Sequence, residues 1–452
     1  MADGSALPRK VIWAYALPAL PLSALTIPFY VILPAYYIET FGVSAAAMGF
    51  ALIALRLFDG ITDPVGGFLS DITRMRFGRR KPWIFAGTPL VFAGVVMLFA
   101  PPGDADVTHF VIWSCVLTLG WTMMIVPYAA WGAELSGQYH ERTRIVGARE
   151  ATILAGTLIA ILLPEASKAI FGGAEAGVSS IAWATGIGLP ISVWLCLKFV
   201  PDRLPLKRDR HGLEAGVGGG WRLIAQNRHF RRLILAYLVN GLANGLPTSL
   251  FILFVSHALQ APGLAGPLLL AYFLAGLLSV PVWMKLSRRW EKHHAWCRAM
   301  MFSCGVFVFT PVAVWLGDPM IFAVICTLSG LALGADLALP ASIQADVVDA
   351  DTAAGGGERA GLYFALWGIA SKFASALSAG PALILLGTLG FDATLPRQSD
   401  VVVIALTALY SVVPVILKTG AIRLMWTFGL GADEQQRLRG TITGADPAPA
   451  RS

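Results

Sequence analysis

Asp59 and Asp63 stand four residues apart in LRLFDGITDPVGGFLSDITRMRFGRRKPW, a stretch that runs from Leu55 to Trp83 and begins inside a strongly apolar run. On a helix that spacing puts both carboxylates on one face. Arg56 lies three residues before Asp59, near the same face. Two carboxylates in an apolar medium repel each other. One of them then holds a proton, or both share a cation or a basic neighbour. Thr62 adds a hydroxyl oxygen, and hard cations take oxygen ligands. Pro64 and Gly66–Gly67 follow and are expected to loosen the helix, freeing carbonyls as further ligands. The alternative is a structural ion-pair cluster of Arg56 with the two aspartates.

Other polar residues inside apolar runs are few. Lys372 sits in the middle of LYFALWGIASKFASALSAG, where it needs a carboxylate or a water-filled cavity. Asp336 lies ten residues before Asp346 in GADLALPASIQADVVD, which on a helix is about 15 Å. Asn240 and Asn244, in LAYLVNGLANGLP, share a face. Arg149 and Glu150 open another apolar run. Tyr128, Trp131 and Trp367 have rings that could stack on a sugar, or could simply pack between helices. The internal charge count does not settle itself. Asp59, Asp63 and Asp336 balance Arg56, Arg149 and Lys372 only if both arginines point inward; otherwise a cation is required.

These residues must be positioned by elements that cross a membrane. The chain has 452 residues, 56% hydrophobic and 13% charged, against about 25% charged in a soluble domain. Twelve segments are long and apolar enough to span, at 11–38, 45–70, 83–101, 108–134, 147–171, 178–200, 232–257, 264–286, 296–317, 319–345, 360–389 and 401–427. Their lengths indicate helices rather than barrel strands. The formal charge of +7 is not spread as a nucleic-acid surface would be. Lysine and arginine gather in alternate loops, while Glu39, Asp104, Asp106, Asp318, Asp392 and Asp400 lie opposite, with Lys168 and Arg397 as exceptions. That is the positive-inside pattern. It predicts a multi-pass protein of the plasma membrane, in bacteria the inner membrane, with both termini in the cytoplasm. The short polar start MADGSALPRK and the long first run argue against a cleaved leader. Asp71, Arg79, Arg80, Asp346 and Asp349 are expected at the membrane surface, setting topology and clamping helix ends.

The longest internal hydrophilic stretch, from Pro201, has proline, glycines and a basic bias, as a linker should. The expected organisation is a six-helix bundle over 1–200, a cytoplasmic linker over 201–231, a second six-helix bundle over 232–428 and a tail over 429–452. The halves echo one another: GGFLSDITRMRFGRRKPW closes the second span and VPVWMKLSRRWEKHHAW the eighth, each passing through Arg-Arg and re-entering at tryptophan. A six-plus-six repeat is the signature of carriers that rock two bundles about a central site. An intramembrane enzyme has no support: there is no HExxH pair, no GxSxG elbow and no phosphate loop, and Gly355–Gly357 lacks a lysine. His293–His294 reads as a polar loop pair, and the five cysteines as packing residues without metal-like spacing. No cofactor and no metal are expected.

RLFDGITDPVGGFLSDITRMRFGRRKPW resembles the helix-two signature of the glycoside–pentoside–hexuronide:cation symporters, the melibiose-carrier group of the major facilitator superfamily. VPYAAWGAELSGQYHERTRIVGARE resembles that family's fourth-to-fifth-helix connection, and QADVVDADTAAGGGERAGLYFALWGIASK its tenth-to-eleventh-helix region. The matches lie in both halves. The resemblance implies an all-α membrane protein with the major facilitator fold, two bundles related by a pseudo-two-fold axis. It implies symport of a sugar or glycoside with Na+, Li+ or H+. Asp59 and Asp63 would be the cation carboxylates, with Thr62 beside them and Thr122 supplying a hydroxyl oxygen. Arg149 would bind sugar, and Lys372 would lie near the cation carboxylates.

Two departures matter. The family places an aspartate two residues before the helix-four proline, where this chain has Ile125 in MMIVPY. It places another on helix one, where WAYALPALPLSALTIPFYVILPAYY has no acid and Ser23 lies near the equivalent position. The cation site loses an oxygen, which favours H+ over Na+. The sugar site loses an acceptor, which points away from a melibiose-like galactoside. Asp336 is the candidate replacement acid, with Asn240, Asn244, Tyr128, Trp367 and Ser23 as further substrate-binding candidates. The four prolines between Pro18 and Pro34 should make helix one irregular. The expected partners are a small solute and membrane lipid, without nucleic acid, for a monomer. The alternatives are a carrier of lysolipid or another amphiphile, and a transport-inactive receptor or assembly factor on the same scaffold.

Overall fold

The computed structural model describes residues 7–73, 75, 78–135, 139–201, 227–353, 360–395 and 397–430. Among them are twelve helices long and apolar enough to cross a membrane, and no strand. The first six are α1 (Arg9–Phe41), α2 (Ala45–Ile72), α3 (Lys81–Phe99), α4 (Val107–Glu134), α5 (Tyr139–Phe171) and α6 (Gly173–Phe199). The second six are α7 (Arg228–Ala258), α8 (Ala265–Trp290), α9 (Lys292–Leu316), α10 (Pro319–Ala353), α11 (Ala360–Thr388) and α12 (Asp400–Trp426). Every span read from hydropathy has its helix. α7 starts at Arg228, inside the stretch whose composition reads as linker. Residues 202–226 of that linker and 431–452 of the tail lie outside the described residues.

The chain divides into two compact units, Met1–Arg208 with Leu383–Pro396, and Asp209–Ala382 with Arg397–Ser452. The end of α11 and the turn after it group with the first unit. Large apolar side chains lie outward on both units, among them Phe85 at 69% exposure, Trp315 at 84% and Ile404 at 68%. In a helix whose backbone bonds are satisfied internally, such faces are suited to acyl chains. Helix ends are capped by side chains where the sequence offers them. Ser44 accepts from the Ala47 N–H at 3.2 Å, Asp106 from His109 at 2.8 Å and Asn227 from Phe230 at 3.0 Å.

Proline shapes α1 and leaves α2 intact. α1 carries a π turn at Pro28–Ile32, and the N–H of Leu33 reaches back to the Pro28 carbonyl. The first helix of the second unit has its own π turn, Phe254–Ala258. π turns recur at functional positions, and the α1 turn holds Tyr30, which enters the site below. In α2, by contrast, the helix runs unbroken through Pro64. The expected loosening at Pro64 and Gly66–Gly67 does not occur. The glycines serve close packing instead, as they do on α10, where a Cβ on Gly334 would meet Ser279 Oγ at 2.2 Å. Small residues let membrane helices approach when lipid offers no hydrophobic drive. This approach of α8 to α10 fixes the height of Asp336, two residues on.

Candidate functional site

In the first unit the two α2 aspartates divide their partners. Thr122, buried on α4, donates its hydroxyl to Asp63 Oδ1 at 2.7 Å. Arg56 Nη1 lies 3.9 Å from Asp59 Oδ2, and the guanidinium sits 4.1 Å over the Tyr30 ring. The carboxylate and the ring together hold Arg56 on the α1 side of α2. A hydrogen bond to a charged group contributes about 1.5–3 kcal/mol, so the Thr122–Asp63 bond is the stronger tie. Thr62 bonds locally. Its hydroxyl donates to the Asp59 backbone carbonyl at 3.3 Å rather than to a carboxylate, the common local alternative for a helical threonine. Ile125 lies three residues beyond Thr122 on α4, so an apolar side chain stands where the family has its acid.

Gly66 makes the Thr122 bond possible. A Cβ there would come within 2.8 Å of Thr122 Cγ2. Threonine is stiff at χ1, so a methyl at position 66 must push α4 or turn the hydroxyl away. Gly66→Ala is therefore expected to weaken cation binding by about tenfold while the helices still assemble. The readout is cation-dependent thermal stabilisation of the purified protein. An unchanged titration would mean that the Thr122–Asp63 bond survives or is irrelevant.

The substrate candidates of the first unit are engaged in several ways. Arg149 Nη2 pairs with Glu150 Oε1 at 2.8 Å and also interacts with Tyr15 and Tyr128. Tyr128 is buried and locked with Tyr15. The rings stack at 4.7 Å, Tyr128 donates to the Tyr15 carbonyl at 2.6 Å, and Tyr15 donates to the Tyr128 carbonyl at 3.1 Å. That arrangement ties α1 to α4 and covers one face of each ring. Ser23 donates to the Leu20 carbonyl at 3.0 Å and packs on Gly156 of α5. It contributes helix packing where the family has an acid. Asp59, Asp63 and Arg56 lie together on α2, two acids to one base.

In the second unit Asp336 is the centre of a buried network. Its Oδ1 accepts from Asn240 Nδ2 at 3.1 Å and from Trp296 Nε1 at 2.6 Å. Its Oδ2 accepts from Asn244 Nδ2 at 2.9 Å and lies 3.4 Å from Lys418 Nζ. Lys418 also donates to Asn240 Oδ1 at 2.9 Å. The structure thus brings together Asp336, Asn240 and Asn244, three of the substrate-binding candidates, and adds Lys418 and Trp296. Lys418 had a signal: it is the lone charge between residues 401 and 422. It also corrects the charge count, because Asp336 is neutralised within its own unit and has no need of Arg56, Arg149 or Lys372. Trp367 stacks on Tyr237 with ring centroids 3.7 Å apart, and Tyr237 shares a 2.8 Å hydrogen bond with Ser371. Lys372 follows Ser371 on α11, half-buried, in the second unit.

The expected surface clamps are present in part. Arg80 donates to Ser70 Oγ at 2.9 Å, closing the basic loop onto the end of α2. Arg79, beside it, is half-buried. Lys292 at the start of α9 bonds both oxygens of the buried Asp346 on α10, at 2.6 and 2.8 Å. The side chains of Asp71 and Asp349 lie outside the described residues. At the α8–α9 junction Glu291, His293 and His294 converge, with Glu291 Oε2 3.6 Å from a nitrogen of each ring.

Comparison with known proteins agrees with this architecture. The family model described as MFS/sugar transport protein matches residues 14–432. An inner membrane symporter of Escherichia coli, YicJ, is 25% identical over 393 residues, covering 84% of this chain and 83% of its own. The sodium-dependent lysophosphatidylcholine symporter 1 of Xenopus tropicalis is 25% identical over 407 residues, covering 81% and 77%. The crystal structure of the D323A mutant of the nucleoside transporter NupG superposes with a TM-score of 0.68 at 11% identity, covering 93% of this chain and 99% of that one. At that identity the likeness is one of fold.

Proposed function

The chain belongs to the MFS/sugar transport protein family, and from that premise we propose that it is a cation-coupled symporter of a small organic solute, with Asp63 and Asp59 as the coupling carboxylates. The observation that carries this reading is the 2.7 Å bond from Thr122 to Asp63, beside a second carboxylate, Asp59, on the same helix face. Such a pair binds one monovalent cation. The oxygen count favours a proton over Na+, because Ile125 offers no ligand. Cation binding neutralises α2 and favours the loaded carrier, and by linkage the solute must tighten the cation in return. Alternating access then carries both across. The basic loops place both termini in the cytoplasm, and an inner membrane location matches the name of YicJ.

The solute class we favour is a sugar or glycoside, which the family's description supports. A lysolipid is the second reading, supported by a relative named for that activity at 25% identity. Uptake of labelled neutral glycosides, uronates and lysolipids into proteoliposomes, under an imposed pH gradient or an imposed Na+ gradient, tests the proposal. One of these solutes is expected to accumulate against its gradient when protons flow inward. Equilibration of all of them without response to either gradient would overturn symport.

A further inference from the structure

Resting on the symporter reading, we propose that Asn244 is the hydrogen-bond acceptor through which the second unit recognises a neutral, hydroxyl-bearing part of the solute, with Asp336 and Lys418 as the positioning residues that fix its orientation. Asp336 itself is not the acceptor. A carboxylate has about four lone-pair sites, and four donors already point at Asp336: Asn240, Trp296, Asn244 and Lys418. Asn240 is buried, with its Nδ2 on Asp336 and its Oδ1 on Lys418. Asn244 is half-buried and has valence to spare. An ionised carboxylate only accepts, so Asn244 must turn Nδ2 toward it. Its Oδ1 is then presented on the other side. Among the described residues no donor reaches that oxygen.

Lys418 decides which edge of the amide is shown. It lies 3.4 Å from Asp336 Oδ2 and donates to Asn240 Oδ1 at 2.9 Å, bracing both of the groups beside Asn244. The other titratable neighbours of Asp336 are Tyr272 and Cys304, neither of them a cation. Without Lys418, Asp336 Oδ2 and Asn240 Oδ1 each lose a donor, and the groups around Asn244 are no longer held in one orientation. Asn244 could then rotate and offer its NH2 instead. The network therefore sets specificity for a donor on the solute. A hydroxyl or N–H satisfies Oδ1, whereas a carboxylate or phosphate faces its lone pairs with no compensating donor.

The test uses the full chain, purified in detergent, with thermal stabilisation titrated by methyl glucoside, methyl galactoside and myo-inositol as neutral probes and by glucuronate and glucose 6-phosphate as anionic ones. Wild type is expected to bind a neutral probe in preference to the anions. Asn244→Leu is expected to bind that probe about tenfold more weakly, with the response to pH and Na+ unchanged. Lys418→Arg should retain the preference and Lys418→Met should lose it; if Lys418→Met does not fold, the Asp336→Asn/Lys418→Met pair takes its place. Preferential binding of an anionic probe, binding by Asn244→Leu at wild-type strength, or no stabilisation by any neutral probe would each overturn the inference. A wild type indifferent to pH and Na+ would instead overturn the coupling reading, leaving the neutral-probe result to stand by itself.

Discussion

Asp63→Asn is expected to abolish uphill accumulation while leaving solute exchange across the bilayer. With one proton coupled to one solute and the membrane potential clamped at zero, each unit of pH gradient sustains about a tenfold accumulation, since about 1.4 kcal/mol corresponds to a factor of ten. The variant should settle near a ratio of one. The asparagine keeps an oxygen for Thr122 to bond, so α2 and α4 stay together. What it loses is the charge, and with it the cation's differential affinity for the loaded carrier, without which no gradient can bias the conformational equilibrium. Exchange persists because solute recognition lies on other residues. The measurement is steady-state uptake into proteoliposomes beside counterflow in the same preparation. Wild-type accumulation by the variant would reduce the α2 carboxylates to a structural pair.

The second large effect concerns the ion pair in the second unit. Lys418 and Asp336 expose only 7% and 12% of their side chains. Removing one member leaves an uncompensated charge at membrane depth, so Lys418→Met is expected to destabilise the protein by about 3 kcal/mol. Asp336→Asn should cost a similar amount, because the Lys418 ammonium would lose its counter-charge in the membrane interior. The double variant Asp336→Asn/Lys418→Met is neutral and should recover most of the loss, since a buried pair contributes little net stability over an uncharged replacement. Thermal unfolding of the four proteins in one detergent gives the cycle directly. A single Lys418→Met variant as stable as wild type would show that the pair is solvated.

Much of the fold was legible because hydropathy alone delimits membrane helices, and all twelve spans match. The α1 prolines also announced an irregular helix. The α2 aspartates were legible because an i, i+4 pair of acids in an apolar run has few innocent readings. Thr122 came from the resemblance, and the structure gives it a physical role through Gly66. What could not be read were contacts between helices distant in sequence. Lys418 lies 82 residues from Asp336, and nothing local shows that they meet. The mutual locking of Tyr128 and Tyr15 is likewise a matter of how α1 packs on α4. The local bond of the Thr62 hydroxyl to the Asp59 carbonyl was not legible either. Pro64 misled because a proline in a packed membrane helix need not open it.

The central claim is that one cation at Asp63 and Asp59 is thermodynamically linked to solute binding. The most direct test is solute affinity of the purified protein, measured across pH and across Na+ concentration, in wild type and in Asp63→Asn. The wild type is predicted to bind its solute more tightly as pH falls, and the variant to bind with an affinity that pH does not change. Equal dependence in the two proteins, or no dependence on pH or Na+ in either, would contradict the account.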